Sequence, residues 1–307
     1  MRAVRIHEYG ASPALEEVPM PDIGADEVLV RVKATSLNPL DVYLCSGAMH
    51  GFFPLGFPYT LGADLAGTVE RAGASATRWR SGEAVVARLD PTRGGALAEF
   101  AVVPAAYLAA APIKVALWEA AGVPTAAGTA WQALFEVADL KRGQTILIHA
   151  GAGGVGSFAI QLARAAGARV IATASGTGID IARGLGADQV IDYRTEDFAN
   201  KLSDVDVVLD TVRDDTQQRS FAVLRSGGTL VSITAPPDEA LAKAHNVTAS
   251  FVFHQSDASR LEKIVERLDA GTLKILVDRM VALEDFSDAF THQGSGRARG
   301  KIILSIT

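Results

Sequence analysis

The segment from residue 145 to residue 233 alternates between strand-like and helix-like hydrophobic patterns, and this alternation constrains the fold more than any other feature. Short apolar runs predict strands at 145–149, 169–174, 189–192, 205–210 and 229–233. Helical patterns lie between them at 154–166, 179–185, 195–201 and 216–224. Strands and helices that alternate in this way form a parallel sheet with helices on both faces. The sequence therefore predicts a doubly wound α/β domain.

A glycine-rich turn joins the first of these strands to the first helix. Gly151, Gly153 and Gly156 form the pattern G-x-G-x-x-G in the context that dinucleotide binding requires. In this context Gly151 permits the tight turn, Gly153 lets the backbone approach a pyrophosphate, and Gly156 allows the helix to pack closely on the strand. The helix N-terminus adds unpaired N–H groups and a positive dipole end. The predicted dinucleotide-binding residues are Gly151, Ala152, Gly153, Gly154, Val155 and Gly156.

The end of the second strand is the place where such domains distinguish the two nicotinamide cofactors. An Asp or Glu there binds the ribose diol of NAD and repels the 2′-phosphate of NADP. This chain has Ser175 at that place, and the next carboxylate is Asp180. The neutral hydroxyl favours NADPH. Tyr193 and Arg194 follow the next strand as further candidates, and Arg194 is either a cation for the 2′-phosphate or a solvated surface charge.

The two ends of the chain are richer in strands than the middle. Period-two patterns predict strands at 27–33, 65–72, 83–88 and 98–103, with a short helix at 38–46. Residues 118–138 have a mainly helical pattern, broken by three residues, Gly122, Pro124 and Gly128. After 258 the strand-like character returns. We therefore predict one β-rich domain at 1–112 and 258–307, interrupted by the dinucleotide-binding domain at 113–257.

Composition narrows the functional class. The chain has 307 residues, is 49% hydrophobic and carries a net charge of −6. These values argue against disorder, nucleic-acid binding and a basic membrane-binding surface. Cys45 is the single cysteine, so neither an intrachain disulfide nor a cysteine-rich zinc site can form. This usage predicts a reducing compartment, and with no signal-peptide pattern we expect the cytoplasm.

Several segments together resemble the medium-chain dehydrogenase/reductase superfamily, specifically its zinc-free quinone/enone oxidoreductase (zeta-crystallin-like) branch. The matching segments lie at 36–43, 61–69, 95–104, 128–134, 149–156, 185–193, 227–232 and 300–304. The resemblance implies a GroES-like β-rich catalytic domain interrupted by a Rossmann domain, with the active site in the cleft between them. It also implies a homodimer formed through an edge strand, for which residues 247–253 are the apolar candidate.

The resemblance also implies which residues act in the site. Asn38 and Ala63 stand where the alcohol-dehydrogenase relatives place ligands of a catalytic zinc, so no metal site is expected. Asn38, Tyr43 and Thr129 are then expected beside the nicotinamide. Structural alternatives remain, since Asn38 can cap the helix that starts at Pro39 and the Thr129 hydroxyl can serve a helical turn. From its segment at 300–304, Lys301 is expected to bind the cofactor.

Some residues depart from the family pattern. Arg213 and Asp214 stand where relatives usually have paired glycines near the cofactor. Leu97 and Met49 replace aromatic residues of related quinone reductases, which predicts a more apolar acceptor pocket and slightly favours enones or enals.

The leading hypothesis is an NADPH-dependent enzyme that transfers hydride to a quinone or an α,β-unsaturated carbonyl without metal. Such acceptors spread the incoming charge onto oxygen, so the protein mainly has to orient the reactants and donate hydrogen bonds. The alternatives are a non-catalytic NADPH-binding sensor or scaffold and, less well supported, a zinc-type alcohol dehydrogenase.

Overall fold

The structure is a computed structural model and describes residues 1–306. Its strands are β1 (Arg2–Ile6), β2 (Ala14–Glu17), β3 (Glu27–Leu37), β4 (Tyr59–Thr60), β5 (Asp64–Ala72), β6 (Ala84–Arg88), β7 (Phe100–Pro104), β8 (Leu108–Ala110), β9 (Thr145–Ile148), β10 (Arg169–Ala174), β11 (Gln189–Asp192), β12 (Val205–Asp210), β13 (Leu224–Ser232), β14 (Thr248–Phe251), β15 (Val277–Ala282) and β16 (Lys301–Ser305). Its helices are α1 (Pro39–Cys45), α2 (Leu117–Ala120), α3 (Pro124–Trp131), α4 (Gly154–Ala165), α5 (Gly178–Leu185), α6 (Thr216–Ser220), α7 (Glu239–Ala244), α8 (Ala258–Asp269) and α9 (Phe286–Gly294).

One compact unit comprises Ala126–Gln255 and Thr272–Lys274. Its sheet has six strands in the order β11-β10-β9-β12-β13-β14, and every neighbouring pair is parallel. β9 lies inside this sheet between β10 and β12, and β14 forms one edge. This is the predicted doubly wound Rossmann sheet, and it places the turn after β9 at the carboxyl end of an interior strand.

The other compact unit comprises Met1–Thr125, Ser256–Gly271 and the chain from Ile275 onward. It contains a seven-stranded sheet with the path β15-β16-β3-β5-β6-β8, in which β7 also pairs with β3. A second sheet has the order β2-β1-β4. Apolar side chains from both sheets fill one core, which explains the alternating pattern of the strands. The predicted β-rich GroES-like fold is confirmed.

The register of the larger sheet aligns polar residues at the ends of neighbouring strands. Ser36 on β3 lies opposite Asp64 on β5, and Asp64 lies opposite Arg88 on β6. On the other side of β3, Leu37 lies opposite Ile302, so Lys301 begins β16 beside the end of β3. The sheet therefore assembles charged residues that are far apart in the sequence.

Three details differ from the sequence-based expectation. The first boundary between the units falls after Thr125 rather than at residue 112, because Ala120 of α2 and the following Ala121 pack in a core of the β-rich unit. Gly128 does not break a helix but lies inside α3. The helix predicted at 195–201 is only a single 3-10 turn at Phe198–Asn200, capped by Asp197. A 3-10 turn of three residues is too short to form an amphipathic face. The spacing of the apolar residues in this segment therefore predicted a helix that the structure does not contain.

None of the helices formed by residues 1–306 is both long enough and apolar enough to cross a membrane.

Candidate active site

The side chain of Asn38 is held between two buried charged residues. Asn38 lies immediately before α1 and is 6% exposed. Its Nδ2 donates to Asp64 Oδ2 at 3.0 Å, and its Oδ1 accepts from Lys301 Nζ at 2.6 Å. Asp64 and Lys301 are 0% and 3% exposed. Buried charges are stable only when they are paired and hydrogen-bonded, and these contacts satisfy that condition.

Asp64 is the centre of this network, and its two carboxylate oxygens have different partners. Oδ1 accepts from the backbone N–H of Thr125 at 2.9 Å and from its hydroxyl at 2.6 Å. Oδ2 accepts from Ser36 Oγ at 3.1 Å as well as from Asn38. Sequence reasoning missed Asp64 and two of its partners, Ser36 and Thr125. The available signal was a charged residue inside the otherwise apolar run 61–67, because buried charges almost always have partners.

The amino end of α1 carries a second buried carboxylate. Asp41 Oδ2 accepts the backbone N–H of Asn38 at 2.8 Å, as expected for an acidic residue in the first turn of a helix. Burial raises the pKa of Asp41 to about 7, and the nearby charge of Asp64 acts in the same direction. Asp41 is therefore partly protonated near neutral pH, which lowers the negative charge around Lys301.

Lys301, predicted as a cofactor ligand, is part of this network. Besides Asn38, its ammonium donates to the carbonyl oxygen of Leu37 at 3.1 Å and lies 3.5 Å from Asp64 Oδ2. These three acceptors match the three N–H groups of an ammonium. Burial lowers the pKa of Lys301, and the charges of Asp64 and Asp41 oppose that shift. A direct contact with a cofactor stays a prediction, and it would require one of these bonds to break.

The remaining predicted residues of this unit are placed differently. Tyr43 lies on α1 and is half-buried. Met49 is also half-buried, whereas Leu97 is fully buried within the hydrophobic core. Gly62 packs so closely on it that a Cβ there would lie 2.3 Å from Leu97 Cδ1. Leu97 is therefore a core residue, and the argument that it makes an acceptor pocket more apolar is wrong.

In the Rossmann unit, the turn after β9 shows why two of its residues are glycine. A Cβ at Gly156 would lie 2.3 Å from the carbonyl oxygen of Ala150. A Cβ at Gly151 would lie 2.8 Å from Ala172 Cβ. Gly156 therefore permits the close helix–strand packing that was predicted. Gly151 serves packing as well, since the left-handed residue of the turn is Ala150, with a φ of 48°.

Gly153 differs from its two neighbours in the motif. A Cβ there would have its nearest contact at 3.2 Å, with Ala150 O, so the protein itself nearly accommodates a side chain. Gly153 lies directly before the first turn of α4, where backbone N–H groups have no partner within the helix. The geometry fits the predicted role of Gly153, in which the absent side chain leaves room for a pyrophosphate.

The candidate ribose-side residues lie together at the carboxyl ends of β10 and β11. Ser175 Oγ donates to the hydroxyl of Tyr193 at 2.9 Å, and the backbone N–H of Tyr193 donates to Ala174 O at 3.3 Å. Tyr193 and Arg194 are exposed. The nearest acidic residue along the chain after Ser175 is Asp180, in the first turn of α5 and with its side chain 85% exposed. Ser175 thus places a neutral hydroxyl against the exposed Tyr193, which Arg194 follows in the chain.

Two further predicted positions belong to the same unit. Thr129 is buried on α3. Asp214 adopts a φ of 102°, a backbone conformation that favours glycine, and its carboxylate accepts from the N–H and hydroxyl of Thr216. Asp214 therefore has a glycine-like backbone conformation at a position where the family resemblance expects glycine, and these local hydrogen bonds offset the strain.

His149 follows β9 and is a packed, neutral residue, not a ligand. Its Nε2 lies 2.9 Å from Ser220 Oγ and its Nδ1 lies 3.2 Å from Thr173 Oγ1. Burial lowers the pKa of His149 to about 3. Below its ordinary pKa of 6.5 only the unfolded chain takes up the proton, so the folded state loses stability as the pH falls from 6.5 toward 3.

We expect His149→Gln to flatten this pH dependence. Between pH 6 and pH 4 the wild-type free energy of unfolding should fall, relative to the variant, by about 1.4 kcal/mol per pH unit. Urea unfolding at several pH values measures this difference, and the comparison cancels the opposite contribution of Asp41, which is common to both proteins. Equal slopes in the two proteins would contradict the buried, neutral state of His149.

Comparison with known proteins identifies the family. The profile of the alcohol dehydrogenase GroES-like domain matches residues 24–113, and the profile named zinc-binding dehydrogenase matches residues 185–304. A quinone-oxidoreductase homolog of spinach chloroplasts is 33% identical, over 99% of this chain and 98% of that protein. The chain belongs to the medium-chain dehydrogenase/reductase superfamily. The resemblance to its quinone oxidoreductase branch is thereby confirmed.

Two further similar proteins bear on the chemistry of this family. The 2-methylene-furan-3-one reductase of tomato is 33% identical, over 99% of this chain and 79% of that protein. The structure of an Escherichia coli quinone oxidoreductase complexed with NADPH has a TM-score of 0.91 at 26% identity and covers 100% of both chains. This chain is accordingly an oxidoreductase of the same kind, with a nicotinamide cofactor.

The zinc ion in the name of the second profile does not fit the residues of this chain. Among residues 1–306, no three His, Cys, Asp or Glu side chains are grouped to hold a metal ion. Asp64 is the carboxylate beside Ala63, and both of its oxygens already accept hydrogen bonds. The amide of Asn38 and the alanine Ala63, which stand where the resemblance places the family's ligands, do not replace the usual nitrogen and sulfur donors.

Proposed function

We propose that this chain is an NADPH-dependent, zinc-independent reductase of quinones or α,β-unsaturated carbonyls such as enones and enals. The observation that carries the proposal is the amide of Asn38, which is fixed between Asp64 and Lys301. The family resemblance places this residue where zinc-type relatives hold their metal. An amide N–H stabilises a developing oxyanion by hydrogen bonding, whereas alcohol oxidation needs a metal or a strong base to stabilise an alkoxide.

The reaction follows from these residues. Bound NADPH supplies a hydride. With an enone, a C–H bond forms at the carbon β to the carbonyl, the π electrons move to oxygen, and a proton from water completes the saturated ketone. Asn38 and Tyr43 are the proposed donors to that oxygen as it gains charge. With a quinone, the same two electrons give the hydroquinone after protonation. No step requires a Lewis acid, because conjugation spreads the charge.

Support for NADPH comes from the ribose-side residues. The hydroxyl of Ser175 does not repel a 2′-phosphate, as an acidic residue would, and Arg194 after β11 is the proposed cation for it. Gly153 at the start of α4 provides the space for the pyrophosphate. Thr129 matches the family residue that lies near the nicotinamide, so we place its hydroxyl beside the nicotinamide ring.

We also propose a homodimer and a cytoplasmic location. β14 lies at the edge of its sheet, and Ala249, Ser250 and Phe251 are only half-buried. A second copy pairing along β14 would satisfy the free backbone groups of this edge. The cytoplasmic location is proposed because the chain has a single cysteine, Cys45, which is free, as is usual in a reducing compartment. The names of several relatives assign those proteins to chloroplasts or mitochondria.

A panel of acceptors tests the function. The purified protein is mixed with NADPH or NADH and with 1,4-benzoquinone or 2-hexenal, and the loss of nicotinamide absorbance is followed. We expect turnover with at least one acceptor, a preference for NADPH, and no effect of a chelator. Tight NADPH binding with no turnover of any acceptor would contradict the enzyme proposal and favour a sensor or scaffold. Loss of activity on chelation would contradict the metal-free mechanism.

A further inference from the structure

The ammonium of Lys301 lies inside the β-rich unit, where a charge is retained only at a cost. The side chain of Lys301 is 3% exposed and belongs to the first residue of β16. Its hydrogen-bond acceptors are the carbonyl oxygen of Leu37 and the amide oxygen of Asn38, with Asp64 at ion-pair distance. A methionine at this position would fill similar space without charge. The ammonium therefore has a task other than filling the core.

That task is visible in the orientation of the Asn38 amide. A lysine ammonium has only donors and a carboxylate has only acceptors. Oδ1 of Asn38 must consequently face Lys301, and Nδ2 must face Asp64, as the distances of 2.6 Å and 3.0 Å show. A flipped amide would place N–H against ammonium and oxygen against carboxylate. The two charges together therefore allow only one orientation of the amide.

The anchor on the other side of the amide is equally fixed. Asp64 is held by the backbone and hydroxyl of Thr125 and by the hydroxyl of Ser36. Because one Nδ2 hydrogen is used by Asp64, the second hydrogen of this amide is the one that remains for an acceptor oxygen. Without Lys301, the amide would keep its bond to Asp64 and its place in the capping box of α1, but its oxygen would lose the charged partner that opposes a flip.

We propose that Lys301 is a positioning residue of the acceptor site, whose ammonium fixes the Asn38 amide so that an N–H group points to the substrate oxygen. The inference deepens the proposed function and rests on it, because it assigns Asn38 as the donor to that oxygen. In this proposal Lys301 acts without contacting the substrate or the cofactor, in contrast to the direct cofactor contact that the family resemblance predicts. It acts through Asn38, and its effect belongs to the transition state, where charge on the oxygen is greatest.

Substitutions of Lys301 test the proposal by kinetics. We expect Lys301→Met to lower kcat for acceptor reduction by about 10- to 100-fold, with little change in the acceptor KM or in the Kd of NADPH. Lys301→Gln, which keeps an N–H donor for Asn38 Oδ1, should recover part of this loss. Lys33→Met is the matched control, because Lys33 is an exposed lysine on β3. This variant should behave like the wild type.

A second readout reports the amide directly and needs neither cofactor nor turnover. The chain contains three asparagines, Asn38, Asn200 and Asn246, so selective ¹⁵N-asparagine labelling gives three side-chain amide signals. Asn38→Ala assigns the signal of Asn38. In the wild type we expect its two protons to be well separated in shift and slow to exchange with water. Lys301→Met should speed this exchange and bring the two shifts together, whereas Lys33→Met should not.

The outcomes separate the inference from the function on which it rests. Wild-type kcat in Lys301→Met, together with a large loss in Asn38→Ala, would overturn the role of Lys301. An unchanged amide signal in Lys301→Met would also overturn it. Wild-type activity in Asn38→Ala would remove Asn38 as the donor and the inference with it.

If the wild type reduces no acceptor, the proposed function fails, while the amide signals still decide whether Lys301 orients Asn38. If Lys301→Met does not fold, the same two measurements are made on Lys301→Gln. Wild-type kcat together with an unchanged Asn38 amide signal in that variant would overturn the role of Lys301.

Discussion

Gly153→Ala is expected to abolish most of the nucleotide affinity while leaving the fold intact. The added Cβ would approach only Ala150 O, at 3.2 Å, so a small backbone adjustment accommodates it. The same methyl group would occupy the space in which we place the pyrophosphate, next to the first turn of α4. We expect NADPH to bind about 100-fold more weakly, a loss of about 2.7 kcal/mol. Fluorescence titration with NADPH measures the affinity, and thermal unfolding measures the stability.

Gly156→Ala is the matched comparison for this prediction. Its Cβ would lie 2.3 Å from the backbone oxygen of Ala150, and backbone cannot move aside as a flexible side chain can. We therefore expect destabilisation by about 1–3 kcal/mol in addition to weakened binding. If Gly153→Ala binds NADPH as tightly as the wild type does, the glycine turn does not hold the pyrophosphate. If it unfolds as readily as Gly156→Ala does, the distinction between the two glycines is wrong.

Ser175→Asp is expected to reverse the cofactor preference. A carboxylate at the end of β10 would stand against the 2′-phosphate of NADPH but could accept hydrogen bonds from the ribose hydroxyls of NADH. Opposed like charges cost several kcal/mol, so kcat/KM with NADPH should fall by about 100-fold or more. With NADH it should stay equal or rise. Steady-state kinetics with both cofactors and one acceptor measure the ratio.

Two further variants isolate the cause of that change. Ser175→Ala removes the hydrogen bond to Tyr193 but adds no charge, so it should alter the ratio far less. Arg194→Ala should weaken NADPH and leave NADH unaffected, since only the phosphate needs the cation. A wild type that uses NADH at least as well as NADPH would contradict our interpretation of Ser175. A Ser175→Asp variant that keeps its preference for NADPH would contradict it as well.

Local patterns in the sequence predicted most of the fold. The alternation over residues 145–233 depends on short-range periodicity, and the structure has β10 and β11 at the predicted bounds. The failures came from segments whose structure depends on contacts elsewhere. β1 and β2 were not predicted, since they have few residues and pair only with each other and with β4. The segment around the turn Phe198–Asn200 was predicted as a helix because it contains the apolar Phe198. In the structure Phe198 is buried against the sheet without a helix forming.

Only part of the candidate site could be predicted from the sequence. Asn38 could be found through the family resemblance, and the glycine motif through its spacing. The hydrogen bond from Lys301 to Asn38, however, spans 263 positions of the chain. No local pattern contains such a contact, because it follows from the order and register of β16, β3 and β5. The sequence therefore suggested a cofactor contact for Lys301, which stays a prediction, but could not show that Lys301 is a partner of Asn38.

Transfer of deuterium from the cofactor to the acceptor tests the central claim most directly. Metal-stripped protein is incubated with 2-hexenal and NADPH that carries deuterium at both C4 positions, and the product is analysed by mass spectrometry. The account predicts a saturated aldehyde with one deuterium at the carbon β to the carbonyl, formed at the rate of the untreated protein. A product without deuterium, or activity that disappears on metal removal and returns with zinc, would contradict it.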